Sequence, residues 1–322
     1  MNLQFCSAPG PPASLIEQVA ACNPTNPFCT SEYVSASESL AEQACFVGLC
    51  RGSEVVSGCI GFLSGVFLRR SLVIHSLPSV PSPEIFWQGL LELCAELKVW
   101  RLQIDTYASP VSDIPQLPGE LTRWARWEYV LDLERADVLE GASSQHRRNI
   151  SRATKAGLSI RRTRETSAFA QHAELMNASM ERRAKRGEEV ETGGPGARPL
   201  ALLTSGSGEL FQAVKEDRVL SSILVLRSSQ GGYYQSAGTL PEGMKLGASP
   251  FMVSSVAAIL KQEGARVFNL GGVTADNPGL RRFKAGFGAS EVTLQAASFC
   301  PRSTIEHKVH TALRASWAWI KP

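Results

Sequence analysis

No two of the eight cysteines stand as C-x-x-C, and no cysteine–histidine spacing of the zinc-binding kind occurs. That speaks against a structural zinc site. Four of the cysteines, Cys45, Cys50, Cys59 and Cys94, fall in apolar runs and read as small core residues of a reducing compartment. Charge of one sign is also missing: 33 Lys and Arg stand against 30 Asp and Glu, a formal net charge of +3. Such a balance gives no global attraction to a polyanion, so DNA is not expected as a partner and any phosphate site must be local. No run approaches the roughly 20 apolar residues of a spanning helix. The opening Met-Asn-Leu-Gln-Phe-Cys has neither the basic nor the apolar stretch of a secretory signal. The expected location is therefore the cytoplasm.

What is present is a chain of 322 residues, 43% of them hydrophobic, enough for roughly two domains with their own cores. The first forty residues are rich in Pro, Ser and Ala and read as a lead-in with one short helix at 15–22. Regular structure starts near Cys45. A strand at 45–49, a turn at Arg51-Gly52-Ser53-Glu54 and a returning strand at 55–63 form a hairpin. A third strand at 68–76 follows, then a helix opened by Pro83 and a strand from Val99 that ends at Asp105.

The same order recurs: strand 210–214, polar turn Lys215-Glu216-Asp217-Arg218, strand 219–226, strand 232–237, a helix opened by Pro250, and a strand from Arg266 that ends at Gly271-Gly272. Phe46 and Phe211 hold the same place in the two hairpins. The recurrence points to duplication of one α/β unit. Between the copies lie a strand at 128–133, a helix capped by Ser143 or Ser144 that runs to Ala156, with Gly157 past its end, and a strand at 158–161. A loop is expected over 181–199. A capping box at Ser303-Thr304-Ile305-Glu306 opens an expected C-terminal helix. The expected division is a first unit over 1–140, a basic connecting helix and strand over 141–165, and a second unit over 166–322.

Two runs carry a resemblance. His146-Arg147-Arg148-Asn149-Ile150-Ser151-Arg152-Ala153, continuing to Gly157, is similar to the R-x-N-I-R-x-A-x-x-x-G helix of the FemAB-like branch of the GNAT acyltransferases. Phe268-Asn269-Leu270-Gly271-Gly272-Val273, followed by Gly279-Leu280 and Phe283-Lys284-Ala285-Gly286-Phe287-Gly288, resembles the branch's D-F-G-G-V … G-L-x-x-F-K-x-G-F-G signature. The resemblance covers roughly 45–299. It implies an α/β fold of two tandem GNAT-like domains, mixed sheets flanked by helices, packed as a pseudo-symmetric pair with the reactive site near the cleft. It also implies transfer of an acyl or aminoacyl group to an amine, with no tightly bound cofactor. The donor is acyl-CoA, or aminoacyl-tRNA with a cell-wall precursor or peptide as acceptor. Neither donor is favoured by its own landmark. The simple acetyl-CoA loop has no counterpart, because Met244-Lys245-Leu246-Gly247-Ala248-Ser249 lacks the leading Arg or Gln, and the long helical arm of some tRNA-dependent members has no room.

The site residues follow from the motif and from elementary chemistry. Lys284, expected in a Gly-rich loop, matches a functional lysine of the branch and could stabilise the oxyanion of a tetrahedral intermediate or hold a donor phosphate. Asp105 resembles the aspartate of an I-D-P segment and is the expected acceptor of the amine's proton, with water as the other route. Phe283 shapes the pocket wall, Gly271 and Gly272 allow close backbone approach, and Tyr234 orients substrate. Arg148 and Arg152 share a helix face, with Arg282 adding to the field, to grip phosphates of CoA, a nucleotide-linked acceptor or tRNA. A degenerate, non-catalytic ligand-binding copy is the remaining alternative.

Overall fold

The computed structural model describes residues 2–66, 69–107, 114–187, 196–273 and 277–301. In chain order these form β1 (Leu3–Pro9), α1 (Ala13–Cys22), a 3-10 turn at Pro27–Cys29, α2 (Ser31–Glu38), β2 (Gln43–Arg51), β3 (Glu54–Ser64), β4 (Ser71–Leu77), α3 (Pro83–Glu96), β5 (Arg101–Thr106) and β6 (Glu120–Asp132). There follow α4 (Ser144–Lys155), β7 (Ser159–Thr163), α5 (Ala168–Ala184), α6 (Arg198–Thr204), β8 (Gly208–Lys215), β9 (Arg218–Arg227) and β10 (Gly231–Thr239). The last are α7 (Pro241–Leu246), α8 (Ala248–Gln262), β11 (Val267–Val273), α9 (Pro278–Ala285) and β12 (Ser290–Phe299). Among the described residues no helix is long and apolar enough to cross a membrane. The C-terminal helix expected from Ser303 lies outside the described residues.

The N-terminal lead-in is not irregular. β1 pairs antiparallel with β2 along its whole length, from Leu3↔Arg51 to Pro9↔Cys45. α2 is capped by the Thr30 hydroxyl, which accepts from the Tyr33 amide at 3.3 Å, and buries Tyr33, Val34 and Ala36. The loop expected over 181–199 is also shorter: α5 runs through Ala184 and α6 starts at Arg198, while 188–195 lie outside the described residues. Cys45, Cys50, Cys59 and Cys94 are buried and form no disulfide, and burial pushes Cys45 and Cys94 up to about 12.

The chain divides into two compact units. The first takes its described residues from 2–22, 41–126 and 294–301; the second comprises Asn23–Leu40 and Trp127–Thr293. The first sheet reads β1-β2-β3-β4-β5-β12 and the second β7-β8-β9-β10-β11-β6. Each has three antiparallel pairings, then a parallel pair, then an antiparallel strand. The duplication is thus visible strand by strand. Phe46 faces Ile60 in one hairpin and Phe211 faces Ile223 in the other. The sixth strand is exchanged, since β6 follows β5 in the chain but pairs with β11, and β12 follows β11 but pairs with β5. A linear split at 140 and 165 has no place for such an exchange, so the unit boundaries fall elsewhere.

The parallel pair differs between the units. In the first, β4 and β5 stay paired to Leu77↔Thr106, across a register shift between Ile74 and Leu77. In the second, the pairing of β10 with β11 ends at Tyr233↔Asn269. Beyond it β10 continues with β9 to Thr239↔Ser221, and β11 continues with β6 to Val273↔Trp127. Two parallel strands held on their outer sides but released from each other leave a wedge-shaped opening at their carboxyl ends. Crevices of that kind hold ligands in open α/β sheets.

Candidate functional site

A cavity of about 620 Å³ occupies this wedge. Tyr233, Tyr234 and Gln235 of β10, Gly271 and Gly272 of β11, and Phe283 and Lys284 of α9 line it, and the rest of its lining also comes from the second unit. A bulge explains why three consecutive β10 residues reach the same space: the register with β9 shifts between Tyr234 and Ser236, so Gln235 stands out of the ladder.

Lys284 is not in a loop, as expected, but in the last turn of α9. The helix is started by Asn277, whose side chain accepts from the Leu280 amide at 3.0 Å, with Pro278 in its first turn. The lysine is only 5% exposed. Its Nζ donates to the Gly272 carbonyl at 2.8 Å and lies 5.7 Å from the centre of the Tyr234 ring. Burial lowers its pKa to about 8, and the negative charge of Glu128 opposes that shift. Tyr234 is pushed upward by burial.

The carbonyl that anchors Lys284 is itself held in place. β11 carries one extra residue between Asn269↔Val130 and Gly272↔Glu128. Gly271 takes the bulge with φ +78°, and a Cβ there would lie 3.1 Å from the Tyr234 carbonyl oxygen. The Asn269 side chain fixes the bulge from below: its Oδ1 accepts from the Gly271 amide at 2.7 Å, and its Nδ2 donates to Glu128 Oε2 at 2.8 Å. Glu128 is fully buried. Sequence reasoning missed both residues. A glutamate inside the apolar run from Trp127 to Leu131, and an asparagine just before the paired glycines, were the available signals.

His146 of α4 braces α9 from behind. Its amide is capped by the Ser143 hydroxyl at 3.2 Å, its Nε2 donates to the Phe283 carbonyl at 2.9 Å, and its ring meets Phe287 edge-on at 4.3 Å. Burial lowers its pKa, which favours the neutral ring. Gly286 leaves the room this requires, since a Cβ there would lie 2.9 Å from the imidazole. Phe287 is fully buried, whereas Phe283 reaches the cavity wall.

The arginines expected at the site are elsewhere. Arg148, Arg152 and Arg282 are exposed and do not belong to the cavity lining. Arg148 donates to Gln145 at 3.0 Å, and Arg152 ties α4 to the Lys245 carbonyl of α7 at 3.0 Å. Further along the basic run, Arg162 and Arg164 pair with the buried Glu209 at 2.6 and 3.1 Å. The arginines of the cavity wall are instead Arg182, Arg183 and Arg186, at and just past the end of α5. Asp105 lies in the first unit on β5, where Arg126 pairs with its Oδ1 at 3.2 Å and Gln103 donates to its Oδ2 at 3.4 Å.

Residues 142–285 match the model of the acetyltransferase (GNAT) domain. No curated protein matches the chain. Several solved structures share its fold at low identity. FemX is similar with a TM-score of 0.68 and 13% identity, over 92% of this chain and 97% of its own. A tandem GNAT protein from the clavulanic acid biosynthesis pathway has a TM-score of 0.54 and 14% identity, over 94% of this chain and 100% of its own. The C-terminal domain of a putative lysylphosphatidylglycerol synthetase from Agrobacterium fabrum has a TM-score of 0.55 and 14% identity, over 89% and 92%. The matched segment runs from the start of α4 to the end of α9 and so contains the wedge and Lys284: this part of the chain matches the acetyltransferase (GNAT) domain, and the whole shares its fold with FemX and with a tandem GNAT protein.

Proposed function

We propose that the protein transfers an acyl group from a thioester donor such as acyl-CoA to an amine acceptor, in the cavity of the second unit. The observation that carries this reading is the release of β10 from β11 around a buried lysine. The donor's thioester lies in the wedge, where backbone groups along the β11-facing edge of β10 lose their ladder partners beyond Tyr233. The amine attacks the carbonyl carbon, and its lone pair forms the new C–N bond. The carbonyl oxygen takes up the displaced electron pair. Lys284, with a pKa of about 8, is mostly protonated at neutral pH and stabilises that oxyanion through ammonium hydrogens not committed to Gly272. Collapse breaks the C–S bond, and the thiolate departs. The amine's proton leaves through water and returns to the thiolate, because no Asp or Glu is among the described residues of the lining. Asp105, engaged by Arg126, has no step in this scheme. The buried positions of Cys45, Cys50, Cys59 and Cys94 fit the cytoplasmic setting expected from the sequence.

A thermal-shift series with CoA, acyl-CoAs and nucleotide-linked sugars tests the donor. A ligand that binds the native state stabilises it by mass action, by about 2.7 kcal/mol at a hundredfold excess over Kd. Stabilisation by acyl-CoA supports the proposal, and its absence with every acyl-CoA contradicts it. The cationic wall of the cavity equally suits the phosphates of an aminoacyl-tRNA donor. In that case RNase abolishes transfer, whereas transfer from acyl-CoA survives RNase. A non-catalytic ligand-binding role predicts that Lys284→Ala changes no activity.

A further inference from the structure

We propose that the cavity selects amine acceptors that also carry an anionic group, a carboxylate or a phosphate, and that Arg183 and Arg186 recognise it. This rests on amine acylation as the reaction of the same cavity. The wall presents Arg182, Arg183, Arg186 and Lys284, with no acidic side chain among its described residues. A net charge of +3 over the whole chain makes such a concentration a local feature of this concavity.

Arg182 and Arg183 stand in the last turn of one helix and Arg186 just past its end, and that helix is fastened down. His172 of α5 is held between Ser222 of β9 at 2.9 Å and Ser236 of β10 at 3.0 Å. At Gly238 the strand lies against the helix backbone itself: a Cβ there would be 2.2 Å from the Leu175 carbonyl carbon. Arg182 is the last fastener, donating to the Ala178 carbonyl at 2.8 Å, to Ser179 Oγ at 2.9 Å and to the Thr239 carbonyl. The end of α5 is therefore set over the cavity by contacts that need no ligand. Burial and the nearby charge of Arg186 lower the Arg182 pKa, the mark of like charges crowded together. Like charges around a concavity focus a field that an anion relieves, and the guanidinium fork binds carboxylate or phosphate through two parallel hydrogen bonds. Lys284 is anchored separately, on Gly272 of β11. One acceptor can thus give its anion to α5 while its amine faces the acyl carbonyl.

The test is calorimetric binding to the full chain. β-Alanine and 2-aminoethyl phosphate are the anionic amines, and propylamine and ethanolamine are their neutral-tailed counterparts. Binding of at least one anionic amine about a hundredfold more tightly than its counterpart is expected, about tenfold for each of the two arginines. The tighter of the two anionic amines identifies the anion. The double variant Arg183→Gln, Arg186→Gln is expected to bind all four alike. Arg186→Gln alone, at an exposed position, reports about tenfold if the double variant does not fold. Arg218→Gln, whose guanidinium pairs with Glu242 and is not part of the lining, keeps the wild-type preference. Equal binding of anionic and neutral amines by wild type, or a preference that survives both Gln variants, overturns the proposal. Turnover with an acyl-CoA separates this from the reaction itself. Equal acylation of both amine classes sinks the anion selection and leaves acyl transfer standing. Selective binding without acylation of any amine does the reverse.

Discussion

Mild acid should loosen the clamp that holds α5 on the sheet, by an amount that one residue sets. His172 is fully buried between two serine hydroxyls, and burial lowers its pKa from 6.5 to about 4. A neutral ring donates to one hydroxyl and accepts from the other, while a charged ring would be stranded away from water. In the unfolded chain the ring protonates near its ordinary value. The unfolded state therefore binds more protons between about pH 6.5 and pH 4, and stability falls as pH falls through that window. Linkage gives a loss of about 2 kcal/mol between pH 7 and pH 5 from this residue. Urea unfolding at the two pH values, on wild type and His172→Gln, isolates it. The variant should be less stable at pH 7 but should lack that part of the acid sensitivity. An equal loss of stability in both proteins would refute the reasoning.

Three further outcomes follow from the same physics. Lys284→Met should stabilise the fold at pH 7, by about 1–3 kcal/mol, because the buried ammonium is disfavoured there. Wild type should close part of that gap as pH rises through about 8 toward 10.5, since its depressed pKa makes protonation costlier in the native state. Thermal melts at pH 7 and pH 9.5 check both statements. Gly238→Ala should destabilise by about 3 kcal/mol or more, because its methyl group would meet the α5 backbone; chemical denaturation measures it. Glu216 and Asp217 turn the β8–β9 hairpin with φ of 48° and 64°, so replacing them with Asn-Gly should stabilise by about 1 kcal/mol in the same assay.

Much of this fold could be read from residue patterns, because hairpins and amphipathic helices declare themselves locally. The Phe46 and Phe211 landmarks located the repeat, and pairing with Ile60 and Ile223 gives them their meaning. What escaped notice depends on distant partners. β1 and α2 lie in a segment rich in Pro, Ser and Ala; β1 is fixed by pairing with β2, and α2 buries its residues beside α6. The exchange of β6 and β12 has no local signature at all. At the site, the motif around Lys284 picked out a residue of the cavity wall, but the flanking glycines disguised a helix whose Asn277 and Pro278 are good start signals. The choice of Arg148, Arg152 and Arg282 followed charge density along the chain. Position over the cavity is decided instead by where Gly238 lets α5 settle, and that belongs to packing.

The most direct measurement is the rate of acyl transfer at saturating acyl-CoA and amine, from about pH 6.5 to pH 9.5, for wild type and Lys284→Met. The account predicts a wild-type rate that declines above about pH 8, as the ammonium loses its proton, and a variant rate lower by about a hundredfold or more without that decline. A variant as fast as wild type, or one that keeps the same alkaline decline, would contradict it.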